Sequence, residues 1–225
     1  LNPVRSIGRV SCVEGGLVHS SGLAGKARIG DLVVVYRKGE PLSGEVLQLD
    51  GDRLVILPDQ EPEGVALNDR AALLEARGLA PSDGWVGRVI DPFGNPIDGK
   101  PLPRGPQARS LRPAPPEPAL RKPMGERLNT GLAVLNTILP VVHGQRIGLF
   151  AGSGVGKSSL LAHLAQNMSA DIVVIALIGE RGRELRHFIE DVLGEEGLKR
   201  AVVVCATSDQ SPLIRRRCAW AAMSV

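Results

Sequence analysis

The sequence predicts an α/β protein in which a small antiparallel β-barrel precedes a parallel sheet with helices on both faces. Three observations lead to this prediction. Short apolar runs separated by turn signals fill the first 72 residues, a proline-rich stretch follows, and strand and helix patterns alternate from Asn129 onward. We therefore predict a barrel over 1–72, a connecting segment over 73–128, and the first part of an α/β domain over 129–225.

The N-terminal strands are separated by residues that suit tight turns. Residues 14–16 read Glu-Gly-Gly and residues 50–52 read Asp-Gly-Asp, both of which are hairpin signals. Many short strands with regular turns favour a closed barrel over an open sheet of another kind. The predicted strands are Ser6–Val13, Leu17–Ser20, Asp31–Tyr36, Glu45–Leu49 and Arg53–Leu57.

The connecting segment changes character along its length. A short strand is predicted at Val86–Ile90, followed by a turn at 91–96. The stretch Pro101–Pro123 is dense in proline and arginine. Proline removes a backbone donor and fixes φ, so this stretch is expected to be extended and irregular.

The C-terminal part alternates strands and helices, an order that implies a parallel sheet. The run 171–178 is almost uninterrupted Ile, Val, Ala and Leu, which suits a central strand covered on both faces. The predicted strands are Gln145–Ala151, Asp171–Ile178 and Arg200–Ala206, and the predicted helices are Gly156–Met168, Gly182–Leu193 and Pro212 to about Val225.

Composition excludes several classes of function. Hydrophobic residues make up 43% of the chain and charged residues 23%, which is typical of a globular protein rather than a disordered one. Aromatic residues are only 3%, fewer than a single-strand nucleic-acid binder uses for stacking. No apolar run approaches the roughly 18 residues of a membrane span. The cysteines Cys12, Cys205 and Cys218 show no metal-ligand spacing and are interpreted as free thiols.

The strongest motif is the segment 151–158, which reads Ala-Gly-Ser-Gly-Val-Gly-Lys-Ser. It matches the phosphate-binding loop pattern except for Ala151 at the first position, and it lies between an apolar run and an amphipathic one. Lys157 is expected to reach the β- and γ-phosphates of ATP, and Ser158 to offer its hydroxyl to Mg²⁺. Ser159 contacts phosphate or is an ordinary first-turn residue. The predicted nucleotide-binding set is Gly152, Ser153, Gly154, Val155, Gly156, Lys157, Ser158 and Ser159.

A second motif follows the apolar run 171–178. Glu180 is the first charged residue after that run, at the sheet edge where parallel α/β proteins bind ligands. It either polarises a water in line with the γ-phosphate or is a carboxylate favoured by a helix dipole. Glu184 touches the Mg²⁺ water shell or pairs with Arg181. Arg181 and Arg183 contact a neighbouring subunit or form a solvated face.

Together these motifs resemble the hexameric ATPase family that includes the catalytic β subunit of the rotary ATP synthase and the flagellar and type III secretion export ATPases. The resemblance extends over most of the chain. Besides the loop and Gly179–Glu184, the segments that carry it are Gly87–Asp91, Gly94–Gly99, Thr130–Leu132, Leu139-Pro140 and Gly144–Phe150. It implies a six-stranded barrel, a RecA-like P-loop domain and a ring of six subunits. It also implies that Glu180 activates the attacking water and that Arg181 and Glu184 belong to the catalytic site.

Within the family the loop sequence and Gly182 are most similar to the flagellar export branch. That branch implies ATP hydrolysis coupled to protein export, with export-apparatus proteins and chaperone–cargo complexes as partners. It also implies a cytoplasmic enzyme that associates peripherally with the export gate of the inner membrane, with ATP and Mg²⁺ but no nucleic acid. The alternatives are an injectisome type III secretion ATPase or a rotary synthase catalytic subunit. A Rho-type RNA helicase is disfavoured because residues 1–72 hold one aromatic residue, Tyr36.

Several expected features of the family have no counterpart in the sequence. The second Mg-related aspartate, the arginine finger and the adenine-contacting aromatic are not found before Val225. Asp209 follows the apolar run 200–206, but its spacing from the loop is too short for the family's aspartate. The sequence therefore predicts a chain truncated within the ATPase domain, with little or no ATP turnover on its own.

Overall fold

The computed structural model describes residues 6–74, 78–152 and 154–225, and they form two compact units. One unit comprises the residues up to 77 together with 210–214. The other comprises 78–209 and 215–225. The domain boundaries predicted above stay a prediction.

The first unit is a closed antiparallel barrel of six strands, which confirms the predicted architecture. The strand order around the barrel is β1-β2-β5-β4-β3-β6. A sixth strand that the sequence reading did not identify closes it, pairing with both β1 and β3. The strands are β1 Ile7–Glu14, β2 Leu17–Ser21, β3 Leu32–Tyr36, β4 Leu42–Asp50, β5 Arg53–Pro58 and β6 Arg70–Leu74.

Local sequence explains the barrel's tightest turns. Glu14 pairs with Leu17, and both intervening residues, Gly15 and Gly16, have positive φ, as a two-residue hairpin of type I′ requires. The turn between β4 and β5 has Gly51 at its first central position, with φ of 56°. Alternate residues of the strands point inward, so the barrel encloses an apolar core. Its largest fully buried members include Val10, Val18, Val33, Val35, Leu42, Val46, Leu54 and Ile56.

The second unit is built on a three-stranded parallel sheet of order β7-β9-β8. Its strands are β7 Arg88–Ile90, β8 Val173–Glu180 and β9 Ala201–Thr207. The helices are α1 Ala133–Thr137, α2 Lys157–Asn167, α3 Gly182–His187, α4 Gly194–Leu198 and α5 Pro212–Ser224, with a π-helical segment at Phe188–Leu193 and single 3-10 turns at Asp83–Trp85 and Pro118–Leu120. Among the described residues, no helix is both long and apolar enough to cross a membrane.

The predicted strand at Gln145–Ala151 is wrong. None of these residues takes part in a strand, and their apolar side chains are largely exposed, with Ile147 at 52% and Phe150 at 95%. An apolar run becomes a strand only where a neighbouring strand supplies backbone partners. No described strand lies beside this run to do so.

The predicted central position of 171–178 is also wrong. Within the described residues β8 pairs only with β9 and is an edge strand, and Val174 and Ile178 are about 40% exposed. The centre of the sheet is β9, in which six consecutive residues are buried. Both runs are apolar, so the sequence pattern does not reveal which of them has neighbours on two sides.

The predicted single helix at Gly182–Leu193 is instead three successive segments. The α-helix gives way to a π-helical turn after His187, and α4 begins at Gly194, which has φ of 65° and ψ of 177°. The last carbonyl of the π segment, on Leu193, accepts a hydrogen bond of 2.8 Å from Nε2 of Gln166 on α2. Gly197 lies so close to Leu193 that a Cβ there would be 2.7 Å from Cδ1 of the leucine. Packing against α2 therefore determines where the helix changes from α-helical to π-helical winding.

Candidate nucleotide-binding site

The phosphate-loop motif forms an exposed turn that leads directly into α2. Gly154 and Gly156 have φ of 77° and 93°, a conformation that side-chain-bearing residues rarely adopt. Gly156 is the N-cap of α2, and its carbonyl accepts the hydrogen bond from Leu160 N at 2.9 Å. Free N–H groups at the start of a helix, together with the helix dipole, favour an anion at this point. Ser153 lies outside the described residues, so its predicted contact stays a prediction.

Lys157 and Ser158 are the first two residues of α2, and both are exposed, as are Val155 and Ser159. No acidic residue lies in the first turn of the helix, so its positive end is not neutralised locally. The side chain of Lys157 makes no hydrogen bond or ion pair with another described residue. A cation and a hydroxyl are therefore presented together at a helix N-terminus, as phosphate binding requires.

The far end of α2 is anchored to the segment that precedes the loop. Ala162 and Ala165 are buried against the sheet, and the polar residues Asn129 and Ser169 bond reciprocally, with Ser169 N donating to Asn129 O at 2.9 Å and Asn129 N to Ser169 Oγ at 3.2 Å. Thr130 is fully buried and donates from Oγ1 to Oδ1 of Asn136 at 2.8 Å. The buried face of α2 includes Ala162, whereas Leu161 is 42% exposed. These contacts fix the helix that presents Lys157.

Glu180 is the last residue of β8, and its side chain is exposed. The pairing of β8 with β9 is irregular between Ile178 and Glu180, so Gly179 forms a bulge with φ of 77°. Beyond the bulge, Glu180 O accepts a hydrogen bond from Ser208 N at 3.0 Å. The structure thus places Glu180 at the carboxyl edge of the sheet. No hydrogen bond or ion pair among the described residues links its carboxylate to Lys157.

Arg181 and Glu184 form an ion pair, which is one of the two alternatives that the sequence left open for Glu184. Nη1 of Arg181 donates to Oε1 of Glu184 at 3.3 Å, and the side chains are 67% and 47% exposed. Exposed pairs of this kind contribute little to stability. Their assignment to the catalytic site stays a prediction.

Sequence reasoning did not anticipate the contacts that the polar groups after β9 make. Thr207 hydrogen-bonds to the carboxyl group of Asp209, and this bond lowers the pKa of Asp209 below its usual value. Arg215, on α5, lies against Gly179. The signal available was the polar segment 207–211 between a buried strand and a helix, which marks another carboxyl end of the same sheet.

The basic run 215–217 lies on α5, and of its three arginines only Arg216 is exposed. Arg215 and Arg217 are half-buried. Nε of Arg217 donates to Pro92 O at 3.2 Å, and its guanidinium lies 4.6 Å from the centre of the Phe93 ring. Arg216 lies over the ring of Trp220 at 4.8 Å.

The buried thiols lie apart from the phosphate loop. Cys205 and Cys218 are buried and free, as predicted, and Cys12 is partly buried. Burial raises the pKa of Cys205 to about 11 and that of Cys218 to about 12, so both stay protonated at neutral pH. They are packing groups rather than nucleophiles.

Magnesium fits the loop as a nucleotide-bound ion rather than as an ion in a protein cage. Over the described part of the chain, no group of three or more His, Cys, Asp or Glu side chains could hold a metal. Mg²⁺ commonly takes one or two protein oxygens and completes its shell with phosphate oxygens and water. The exposed hydroxyl of Ser158, next to Lys157, is a donor of the required type.

Comparison with known proteins agrees with this geometry. Residues 131–225 match the ATP synthase alpha/beta family, nucleotide-binding domain. The chain is 42% identical over 228 residues to the flagellum-specific ATP synthase of Caulobacter vibrioides, covering 100% of this chain and 51% of the relative. It is 43% identical over 225 residues to the protein of that name from Bacillus subtilis, covering 97% of this chain and 50% of the relative.

A solved structure with a similar fold is the assembled ATPase EscN, in complex with its central stalk EscO, from the type III secretion system of enteropathogenic E. coli. The TM-score is 0.84 at 34% sequence identity, over 96% of this chain and 53% of the EscN chain. The chain thus spans about half the length of the relatives it matches. Loop geometry, strand order and similarity agree that residues 131–225 carry the nucleotide-binding domain of the ATP synthase alpha/beta family and that the chain has the fold of the type III secretion ATPase EscN.

Proposed function

We propose that this chain is the nucleotide-binding part of an ATPase that energises protein export through the flagellar type III secretion apparatus. The observation that carries the proposal is the loop before α2, where two glycines with positive φ lead into a helix that begins with an exposed Lys157 and Ser158. The 42% and 43% identity to flagellum-specific ATP synthases supports the flagellar assignment.

In this proposal each polar group has a distinct role. The loop N–H groups and Lys157 donate to the phosphate oxygens of ATP, and Ser158 offers its hydroxyl to Mg²⁺. The ion neutralises charge that develops on the phosphates. Glu180 accepts a hydrogen bond from the attacking water and orients it toward the γ-phosphate. Arg181 and Glu184, which form an exposed ion pair after Glu180, belong to the same catalytic site in this proposal.

The proposed assembly is a homo-oligomer, a ring of six, with ATP bound at subunit interfaces. EscN is an assembled ATPase that has been seen with its central stalk. The proposed partners are export-apparatus proteins and chaperone–cargo complexes, and the proposed location is the cytoplasm, peripheral to the membrane export gate. An injectisome role is the alternative, and EscN, at 34% identity, is the observation that favours it.

Nucleotide binding by the 225-residue chain is the direct test. Titration calorimetry with Mg-ATP should give saturable binding that Lys157→Ala weakens at least tenfold, because the lysine meets the most highly charged part of the ligand. Lys199→Ala is the matched control, since Lys199 is an exposed lysine of the same unit that pairs with Glu196. Equal affinity of the Lys157→Ala chain and the wild type would disprove the binding assignment.

The role of Glu180 needs a hydrolysis assay of the full-length gene product. Glu180→Gln should lower kcat by two or more orders of magnitude while ATP binding is retained. Glu190→Gln is the control, because Glu190 pairs with Arg186 on the exposed surface. Normal turnover by Glu180→Gln would remove Glu180 from the mechanism. Expression of the full-length gene product in a strain that lacks its flagellar ATPase would separate the two roles. Restored motility would support the flagellar role rather than the injectisome role.

A further inference from the structure

The strand that ends at Glu180 is interrupted one residue earlier. Ile178 pairs with Ala206 and Glu180 with Thr207, so Gly179 has no partner in β9 and is accommodated as a bulge. A bulge bends its strand and redirects the side chain that follows it. The direction of the Glu180 side chain therefore depends on what holds this bulge in place.

The side chain of Arg215 lies on the bulge. A Cβ built on Gly179 would be 3.8 Å from Cδ and 3.8 Å from Nη1 of Arg215. Chain neighbours aside, these are the only atoms of the described residues within 4 Å of that position. Both the aliphatic stem and the guanidinium of Arg215 thus lie beside the face of the bulge on which a Cβ would stand, with room for about one methyl group between them.

Arginine is a costly residue for packing alone at this point. Nε of Arg215 is buried and has no hydrogen-bond partner among the residues that the structure describes. A buried donor without an acceptor costs about 1–3 kcal/mol, a cost that an apolar side chain of similar length would avoid. The charge is therefore held beside Gly179 despite its cost, which indicates a role other than filling space.

Helix α5 is fixed firmly enough to make Arg215 a rigid support. Arg217, two residues later, donates to Pro92 O in the loop after β7. Cys218 is fully buried and its thiol contacts Val204 O of β9 at 3.4 Å. The helix is thus bonded to the loop after β7 and to β9, while its Arg215 side chain lies beside the end of β8.

We propose that Arg215 is a positioning residue for Glu180. Its side chain braces the Gly179 bulge and sets the direction in which the Glu180 carboxylate leaves the sheet edge. Arg215 acts through Glu180 and does not itself touch the reacting atoms. This inference rests on the proposed function of Glu180.

Steady-state hydrolysis of Mg-ATP by the full-length gene product tests the proposal. Arg215→Met keeps the stem and removes the guanidinium, and it should lower kcat about ten- to a hundredfold with KM changed less than about twofold, as expected for a misplaced catalytic group. Arg215→Lys should restore part of the lost kcat because it returns the charge. Arg216→Met, whose arginine lies over Trp220 instead, should stay within about twofold of wild type in kcat.

A second readout does not require turnover. The Ser208 amide, which bonds to Glu180 O, should exchange with solvent about fivefold or more faster in the Arg215→Met form of the 225-residue chain. The amides in the middle of β9 should exchange as in wild type, which shows that the sheet is intact.

Wild-type kcat in Arg215→Met overturns the proposal, as does a rise in KM alone. Normal turnover by Glu180→Gln would overturn the proposed function instead. In that case the exchange rate of the Ser208 amide alone decides whether Arg215 braces the bulge. An unchanged rate would show that it does not.

Discussion

Gly179 illustrates how a single residue without a side chain sets the geometry of the candidate site. Its φ of 77° is strained for every residue with a Cβ, whereas the space around it is only moderately filled. We therefore expect Gly179→Ala to lower the free energy of unfolding by about 1–2 kcal/mol through backbone strain rather than through a clash. Urea denaturation followed by circular dichroism would measure the change.

The control for that prediction is three residues away. Gly182 begins α3 with an ordinary helical φ and open space where a Cβ would stand. Gly182→Ala should leave the free energy of unfolding unchanged or raise it by up to about 1 kcal/mol, since alanine favours the helix. Equal stability of the two variants would mean that the Gly179 conformation is not required by the fold.

The glycine conformations of the loop before α2 were predictable from sequence, whereas the position of Arg215 beside Gly179 was not. The loop motif is local, since glycine, lysine and serine spacings over eight positions determine which backbone and side-chain groups face an anion. The contact between Arg215 and Gly179 joins residues 36 positions apart and depends on how α5 lies on the sheet. The run 215–217 carries no helical periodicity of its own that would indicate which arginine turns inward.

At the scale of elements, the segment after β7 is held in place by one ion pair. Nε and Nη2 of Arg88 donate to the carboxylate of Asp98 at 2.6 and 2.7 Å, and the side chains are only 12% and 20% exposed. Arg88 also donates to the carbonyls of Lys100 and Pro101. One side chain of the strand thus clamps the beginning of the proline-rich stretch.

This clamp should be sensitive to acid. Hydrogen bonds from Arg88, followed by those from backbone amides, lower the pKa of Asp98 to about 2 from its ordinary 3.8. A lowered native pKa means that the unfolded chain binds the proton more readily. The stabilisation is therefore complete above pH 4 and is lost as the pH falls from about 4 to 2. It should amount to about 2 kcal/mol at neutral pH.

The measurement compares the free energy of unfolding of wild type and Asp98→Asn at several pH values. The difference should be about 2 kcal/mol at pH 7 and should shrink toward zero near pH 2. Asp52→Asn, at an exposed turn of the barrel, should show a much smaller difference at every pH. A difference for Asp98→Asn that does not depend on pH would mean that the carboxylate charge is not what the clamp uses.

The elements themselves were predicted well where their signals are local. Five of the six barrel strands, α2, β9 and α5 lie within a few residues of their predicted bounds because alternation, turn residues and cap residues mark them. The predicted strand at 145–151 and the central position of β8 were wrong because each depends on a neighbouring strand. The break in the helix after His187 depends on contacts with Gln166 and on Gly197.

At the scale of the whole molecule, the second unit exposes an apolar groove of about 500 Å³. The groove is lined by apolar side chains from three places along the chain. These are Ile138 and Leu139 after α1, Ile147 and Leu149 of the segment 145–151, and Leu160 and Leu164 of α2. Ile138 is 74% exposed and Leu139 62%. A contiguous apolar surface of this kind is uncommon on a monomer and favours association.

We expect the isolated 225-residue chain to self-associate through this groove. Sedimentation velocity should show a weight-average mass that rises with protein concentration. In the double variant Ile138→Ser, Leu149→Ser this rise should occur at an at least tenfold higher protein concentration. The reason is that the two substitutions remove apolar area that association buries. Leu120→Ser is the matched control, because Leu120 is 73% exposed but lies in the proline-rich stretch, away from the groove. If the Leu120 variant dissociates as readily as the double variant, association depends on general hydrophobicity rather than on this groove. A wild-type chain that stays monomeric at all concentrations would show that the exposed groove is stable in water.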